Sequence, residues 1–158
     1  MSVAFRRDGD EEHLEPKFEI PIPPGPNLVT ARGLALIEAQ VATLTARLAT
    51  LAGQGDDDPA VLSARRDLRY WHNRQITAEL MPPPADGIVA FGTSVTFRLN
   101  GTERTLQIVG DDEADPANGL ISFSAPLARA LLGAEAGELL EFAGREEAIE
   151  ILAIEVAA

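Results

Sequence analysis

Apolar residues recur at alternating spacings of three and four between Thr30 and Gly53. The positions are Leu34, Ile37, Val41, Leu44, Leu48 and Leu51. This spacing is typical of the a and d positions of a coiled coil, which lie on one face of a helix. The pattern predicts a helix that is capped by Thr30 and ends at the glycines Gly53 and Gly55.

The same spacing returns after this short turn. The positions are Val61, Ala64, Leu68, Trp71, Gln75 and Ala78. Pro59 suits the first turn of a helix because no intrahelical partner is needed for its missing N–H, and the acids before it meet the positive end of the helix dipole. The two segments are therefore predicted to pair as an antiparallel coiled coil that ends at Pro82. Each arm of roughly 21 residues would be on the order of 30 Å long.

Beyond the prolines the period becomes two, which is typical of β strands. The predicted strands are 88–91, 94–99, 102–109, 121–124, 139–142 and 148–156. Asn100-Gly101 predicts a tight hairpin between two of them. Pro126 to Leu132 predicts one short helix that ends at Gly133. These elements predict an α+β domain, in which a mostly antiparallel sheet carries a helix on one face.

The chain thus divides into a tail at 1–29, a coiled coil at 30–81 and an α+β domain at 82–158. The tail combines acidic residues with Pro21, Pro23, Pro24 and Pro26, so it resists helix formation and buries little. We expect it to be extended or disordered. It either remains a solvated leader or docks on a partner as an acidic arm.

Charge and composition exclude several function classes. The net charge is −12, from 13 Lys and Arg against 25 Asp and Glu, which disfavours direct binding to a phosphate backbone. The absence of cysteine excludes disulfides, thiolate zinc sites and thiol nucleophiles, and two histidines leave little for a catalytic triad or a multi-histidine metal site. No apolar run approaches a membrane span and no signal-peptide core is present, so the predicted location is cytoplasmic.

Two clusters within the coiled coil carry candidate chemistry. Asp56, Asp57 and Asp58 stand at the turn between the helices, where they could contact Mg²⁺ or form a solvated helix cap. The second helix is locally basic around Tyr70 and Trp71 and could be an RNA-stacking face. Alternatively, Trp71 packs between the helices and the arginines pair with acids. These arginines are Arg65, Arg66, Arg69 and Arg74.

Two motifs in the predicted α+β domain resemble the GreA/GreB transcript cleavage factors. The first runs from Ile108 to Asp115 and the second from Ser122 to Gly133. Shorter similarities support them elsewhere, and together they cover everything after the tail. They are Phe91-Gly92 with Val95, Thr30 with Gly33-Leu34, and Arg69-Tyr70-Trp71 with Arg74.

This resemblance implies an FKBP-like C-terminal domain that grips RNA polymerase at the rim of its secondary channel. It also implies that the coiled coil enters the channel toward the active site. The family's grip maps onto Ser122, Ser124 and Pro126. By this resemblance the protein is a monomeric accessory factor rather than an enzyme, has no cofactor of its own beyond indirect contact with the polymerase Mg²⁺, and meets nucleic acid only through the polymerase.

The resemblance does not extend to the turn between the helices. Cleavage factors carry the motif Gly-Asp-x-x-Glu-Asn-Ala-Glu/Asp-Tyr, whose acids help to hold a second Mg²⁺. Here Gly55-Asp56-Asp57-Asp58-Pro59 provides acids without that spacing, and each arm is two to three helical turns shorter. Two turns correspond to about 11 Å, far beyond a direct Mg²⁺ ligand distance of about 2.1 Å. We therefore do not expect the aspartates to stimulate transcript cleavage.

Two alternatives to a polymerase regulator remain. An FKBP-like prolyl isomerase would need an aromatic-lined pocket, which the few Phe and Tyr residues after Thr30 supply poorly. A coiled-coil adaptor for a non-polymerase protein would need only the exposed helical pair.

Overall fold

The computed structural model describes residues 19–156. The prediction of a tail at residues 1–18 lies outside this range. The described chain divides into two compact units. The first contains residues 19–25 and 35–77, and the second contains residues 26–34 and 78–156. No helix of the described chain is long and apolar enough to cross a membrane. The elements in chain order are β1 (Leu28–Val29), α1 (Ala31–Thr50), α2 (Pro59–Thr77), β2 (Glu79–Leu80), β3 (Thr93–Leu99), β4 (Thr102–Val109), β5 (Leu120–Ser122), α3 (Pro126–Leu131), β6 (Leu139–Phe142) and β7 (Arg145–Val156).

The first unit contains the two helices predicted from the spacing of apolar residues. Every predicted seam residue of α1 is buried or half-buried, with Ile37 and Leu44 the most buried, while the remaining residues of α1 beyond Leu34 are exposed. In α2, Val61 and Ala64 are buried. The amphipathic pattern is therefore confirmed. The second helix is shorter than expected, since it ends at Thr77 and the following residues form β2.

The second unit contains a five-stranded sheet of order β5-β4-β3-β7-β6. Three of its four strand pairs are antiparallel, but β4 and β5 run parallel. The prediction of a mostly antiparallel sheet is confirmed, and the one parallel pair is the feature that it did not specify. The reason is the connection between β4 and β5, because residues 110–119 carry the chain back before it pairs again, whereas a tight hairpin would have made the pair antiparallel.

The segment 88–91 does not form the predicted strand. Ile88 makes a single bridge to Glu135. The chain then turns, with the Thr93 hydroxyl donating to the Ala90 carbonyl at 2.7 Å and Gly92 at a φ of 93°. Alternating polarity could not reveal this turn, because a turn stabilised by a threonine hydroxyl leaves the apolar pattern unchanged.

Residues 28–29 form a strand, although the sequence analysis placed them in the tail. β1 pairs in parallel with β2, and Val29 is buried. The Asn27 side chain is also buried. These residues belong to the second unit. The prolines before them therefore do not justify a solvated tail that extends to residue 29.

The core of the second unit lies between the sheet and α3. The large apolar residues at its centre are at most 1% exposed and come from β3, β4, α3 and β7; they include Val95, Phe97, Ile108, Leu131, Ile149 and Ile151. Ala128 and Leu131 are the residues that α3 buries. This packing fixes α3, and therefore the loop that leads into it, against a rigid sheet.

Candidate functional site

The predicted polymerase-binding residues lie in one loop, residues 122–126, between β5 and α3. The parallel pairing of β4 with β5 sets Ser122 opposite Val109. Backbone hydrogen bonds continue beyond this strand pairing. The Phe123 N–H donates to the Val109 carbonyl at 2.9 Å, and the Ala125 N–H donates to the Ser122 carbonyl at 3.0 Å. The 122–126 loop is therefore held on the edge of the sheet.

Asp111 connects the two serines of this loop. Its Oδ1 accepts a hydrogen bond from the Ser122 hydroxyl at 2.6 Å and one from the Ser124 hydroxyl at 2.9 Å. The Ser124 N–H also donates to the Ser122 Oγ, at 3.1 Å. The sequence analysis missed Asp111 as a site residue. Only the parallel pairing of β4 with β5 would have indicated that an acid just after β4 meets the end of β5.

The loop combines an apolar support with an exposed outer side. The Phe123 ring packs edge-on against Phe91, with centroids 5.7 Å apart. Ser124, Pro126 and Arg129 are exposed. The loop therefore presents the side chains of Ser124 and Pro126 to solvent while its backbone remains anchored, and the guanidinium of Arg129 is exposed nearby in the sequence, on α3.

A buried carboxylate fixes the start of α1 to the segment after β4. Glu113 has a side chain only 3% exposed and accepts hydrogen bonds from the Thr30 hydroxyl at 2.6 Å and from Arg32 Nη1 at 2.9 Å. The Gly33 N–H donates to the Thr30 hydroxyl oxygen at 2.9 Å, which confirms Thr30 as the helix cap. Thr30 and Gly33 belong to one of the motifs that resemble the GreA/GreB family, and Glu113 belongs to another. The structure brings these two motifs into contact.

Gly33 packs closely against the Glu113 carboxylate. A Cβ there would lie 2.9 Å from Glu113 Oε1. The cluster of Thr30, Gly33, Arg32 and Glu113 is thus a close-packed structural junction within the second unit.

A groove of about 490 Å³ borders this junction. Its described lining contains a single aromatic side chain, Phe91, together with prolines and the charged residues Arg32 and Glu113. An isomerase site that encloses a proline ring between aromatic side chains is not formed by this lining.

The three aspartates between α1 and α2 do not converge. Asp58 Oδ1 accepts a hydrogen bond from the Ala60 N–H at 2.8 Å and caps α2, as expected for a helix cap. Asp56 pairs with Arg65 at 3.2 Å, and its side chain is 92% exposed. Within residues 19–156 no group of three acidic or histidine side chains is arranged to hold a metal ion. A direct metal site at Asp56, Asp57 and Asp58 thus finds no support in their geometry.

Three arginines of α2, Arg65, Arg66 and Arg69, pair with acids, and the fourth, Arg74, is buried. Arg65 bonds to Asp56 and Arg66 bonds to Asp67, the latter at 2.9 Å. Trp71 is half-buried and contacts the ring of Tyr70 edge-on, with centroids 5.0 Å apart. This arrangement matches the interpretation of paired arginines and a packed tryptophan rather than an RNA-stacking face.

Arg69 holds the segment that precedes the coiled coil. It donates to both carboxylate oxygens of Glu19, at 2.7 and 2.8 Å. These hydrogen bonds lower the pKa of Glu19, slight desolvation opposes them, and the charges of Arg69 and Arg66 lower it further. The same hydrogen bonds raise the pKa of Arg69. Glu19 therefore stays ionised and paired below the pH at which an ordinary glutamate becomes protonated.

Comparison with known proteins identifies the second unit. The family described as "Transcription elongation factor, GreA/GreB, C-term" matches residues 84–156. The transcription elongation factor GreA of Alkalilimnicola ehrlichii is 45% identical over 74 residues, which are 44% of this chain and 47% of that protein. GreA of Pseudomonas putida is 33% identical over 103 residues, which are 63% and 64% of the two chains.

Two solved structures are similar to the chain at lower identity. The GreA factor homolog 1 (Gfh1) protein of Thermus thermophilus is 18% identical, with a TM-score of 0.38, over 83% of this chain and 99% of that one. A GreA/GreB factor from Nitrosomonas europaea is 21% identical, with a TM-score of 0.39, over 82% and 98%. The chain spans about half the length of most of the curated relatives that it matches. Residues 84–156 are therefore a C-terminal domain of the GreA/GreB family of transcription elongation factors, and the chain is a relative of those factors through this domain.

Proposed function

We propose that this protein regulates transcription elongation by binding RNA polymerase at its secondary channel, with the coiled coil directed toward the active site. The observation that carries this proposal is the 122–126 loop, because it lies within the GreA/GreB domain and presents Ser124 and Pro126 on a backbone held by the sheet. The protein would act as a monomer and reach nucleic acid only through the polymerase. The net charge of −12 agrees with a protein partner rather than a nucleic-acid partner.

The aspartates at the end of the coiled coil support a regulator that does not itself stimulate transcript cleavage. Asp58 is engaged in capping α2 and Asp56 in pairing with Arg65, so neither is held ready as a metal ligand. α1 has 20 residues and α2 has 19, which corresponds to about 30 Å for each arm. The protein would thus occupy the channel without supplying carboxylates to the catalytic Mg²⁺.

The proposal is tested by measuring the affinity of the full chain for core RNA polymerase. Replacing both Ser124 and Pro126 by alanine should weaken binding by about tenfold or more, equivalent to about 1.4 kcal/mol, because both side chains lie on the exposed side of the loop. A matched control replaces Thr102 and Pro116, an exposed hydroxyl and an exposed proline elsewhere in the same unit, and should bind like the wild type. Equal affinity of both double variants would show that the loop does not dock.

The same binding measurement distinguishes a polymerase regulator from a coiled-coil adaptor for another protein. A wild-type chain that binds no core polymerase, yet is captured through its coiled coil by another protein, would favour an adaptor. No contact in the structure favours that alternative over polymerase binding.

The role of the aspartates is tested by replacing Asp56, Asp57 and Asp58 together with asparagine. Asparagine retains the capping oxygen and removes the charge. We expect retained polymerase binding and unchanged background cleavage. A wild-type protein that accelerates cleavage of stalled complexes about tenfold, a reduction of about 1.4 kcal/mol in the barrier, together with an inert asparagine variant, would make these acids participants in cleavage.

A further inference from the structure

Three side-chain oxygens form a closed cluster beneath the 122–126 loop. The distances are 2.6 Å from Ser122 Oγ to Asp111 Oδ1, 2.9 Å from Ser124 Oγ to Asp111 Oδ1, and 2.9 Å between the two serine oxygens. Each serine has one hydroxyl hydrogen, so two hydrogens serve three contacts. A carboxylate is the strongest acceptor of the three, because hydrogen bonds to an ionised group are roughly twice as strong as neutral ones. Both hydroxyl hydrogens are therefore directed into the cluster.

We propose that Asp111 is a positioning residue for docking, which fixes the orientation of Ser122 and Ser124 so that the loop offers hydrogen-bond acceptors to its partner. This inference rests on the proposed docking role of the loop. With their hydrogens turned inward, the serine oxygens have only lone pairs to offer outward. The partner surface at this point must then supply donors, as the guanidinium of arginine or the ammonium of lysine does.

The location of the cluster separates this role from a role in folding. Ser124 is exposed and Asp111 is half-buried, whereas the apolar core of the unit lies between the sheet and α3. The loop backbone has its own anchors in the hydrogen bonds to Val109 and within residues 122–125. Loss of the Asp111 carboxylate should therefore release the serine side chains while the sheet and α3 remain folded.

The arrangement predicts different results for two substitutions of Asp111. Asparagine keeps an Oδ1 that can accept from both hydroxyls but lacks the charge that strengthens these bonds, so Asp111→Asn should weaken binding to core polymerase by no more than about threefold. Alanine removes the acceptor, so Asp111→Ala should weaken binding by about tenfold. Asp86→Ala, which removes a carboxylate from an exposed position in the same unit, should have no effect.

A double-mutant cycle shows whether Asp111 acts through the serines. We expect Asp111→Ala combined with Ser122→Ala and Ser124→Ala to bind no more weakly than the serine double variant alone, because the carboxylate has nothing left to orient. If the loss of affinity caused by Asp111→Ala multiplied the loss caused by the two serine substitutions, the proposal would be overturned. A loss in Asp111→Asn equal to that in Asp111→Ala would also overturn it, since an acceptor oxygen at this position would then contribute nothing to orienting the serines.

A second measurement does not depend on the polymerase. The Ser124 N–H donates to Ser122 Oγ, so its amide exchange reports the order of the cluster. In the full chain, Asp111→Ala should accelerate this exchange severalfold while the amides of β3 and β7 stay protected. A wild-type chain that fails to bind polymerase would reject the proposed function. Unchanged Ser124 exchange in Asp111→Ala would reject the positioning role by itself.

Discussion

Gly110 shows how a backbone contact can require glycine without any unusual dihedral angle. It is buried directly after β4, and a Cβ at this position would lie 2.2 Å from the Leu28 carbonyl oxygen. The obstructing atom belongs to β1, whose backbone is held by its pairing with β2. The close approach of β1 thus gives the physical reason for the glycine at position 110, within the motif from Ile108 to Asp115.

Gly110→Ala should destabilise the protein by about 1–3 kcal/mol, as expected when a group is forced into a packed site whose neighbour is backbone. Urea denaturation followed by circular dichroism measures this loss. Gly53→Ala is the control, because Gly53 is exposed and a Cβ there meets no atom within 4 Å. Equal midpoints for the two variants would show that β1 is not held against Gly110.

The Glu19–Arg69 pair makes a prediction about pH. The pKa of Glu19 is lowered chiefly by hydrogen bonds from Arg69, so its contribution to holding the segment is present at neutral pH and is lost as the pH falls through the lowered value. A carbon NMR titration of the Glu19 carboxyl should give a higher midpoint in Arg69→Gln than in the wild type. Added salt should raise the wild-type midpoint in the same direction, because both groups are exposed. Identical midpoints in the two proteins would contradict the pairing.

Residue-level chemistry was predictable where it depended on neighbours in sequence. Thr30 as a cap and the acids before Pro59 follow from local helix rules. The hydrogen bonds that Asp111 accepts from the serines and that Glu113 accepts from Thr30 join positions that are 11 or more residues apart in the chain. They depend on strand pairing that no local pattern specifies.

At the scale of elements, two hairpin turns provide a matched comparison. Asn100-Gly101 connects β3 to β4, with φ values of 50° and 90°, and Ala143-Gly144 connects β6 to β7, with φ values of 54° and 82°. Both residues of each turn are left-handed, which asparagine and glycine tolerate and alanine does not. The second turn therefore carries strain at Ala143 that the first avoids.

Ala143→Asn should stabilise the protein and Asn100→Ala should destabilise it, each by about 1 kcal/mol, because a left-handed alanine costs about 1–2 kcal/mol. Thermal unfolding of the two variants measures both changes in stability, because both turns lie in the second unit. Shifts of the same sign would show that the turn conformations do not control the change.

The elements themselves were predicted unequally well. The helices were recovered because their apolar spacing persists over several turns, and the Asn100-Gly101 hairpin because its turn is local. The strand predicted at 88–91 was wrong, since its four residues are all apolar but Gly92 and Thr93 bend the chain directly after them. The parallel pairing of β5 and the short strand β1 depend on long-range contacts and had no signal in the pattern.

At the scale of the whole molecule, the proposed function rests on a GreA/GreB domain with an exposed 122–126 loop and on two helices whose intervening aspartates, all among the described residues, do not converge. A protein with those two properties should compete with full-length cleavage factors without replacing their activity, because two coiled coils cannot occupy one channel. Competition is therefore more informative than binding alone, since binding elsewhere on the polymerase would leave cleavage intact.

The most direct measurement is a titration of this protein into backtracked transcription complexes that contain a fixed amount of a full-length cleavage factor. We expect transcript cleavage to fall to the background level as the protein saturates the polymerase. The protein alone should leave the background unchanged, and the Ser124 and Pro126 double variant should require about tenfold more protein for the same inhibition. Undiminished cleavage with both proteins bound to one polymerase would contradict the claim that they share the channel.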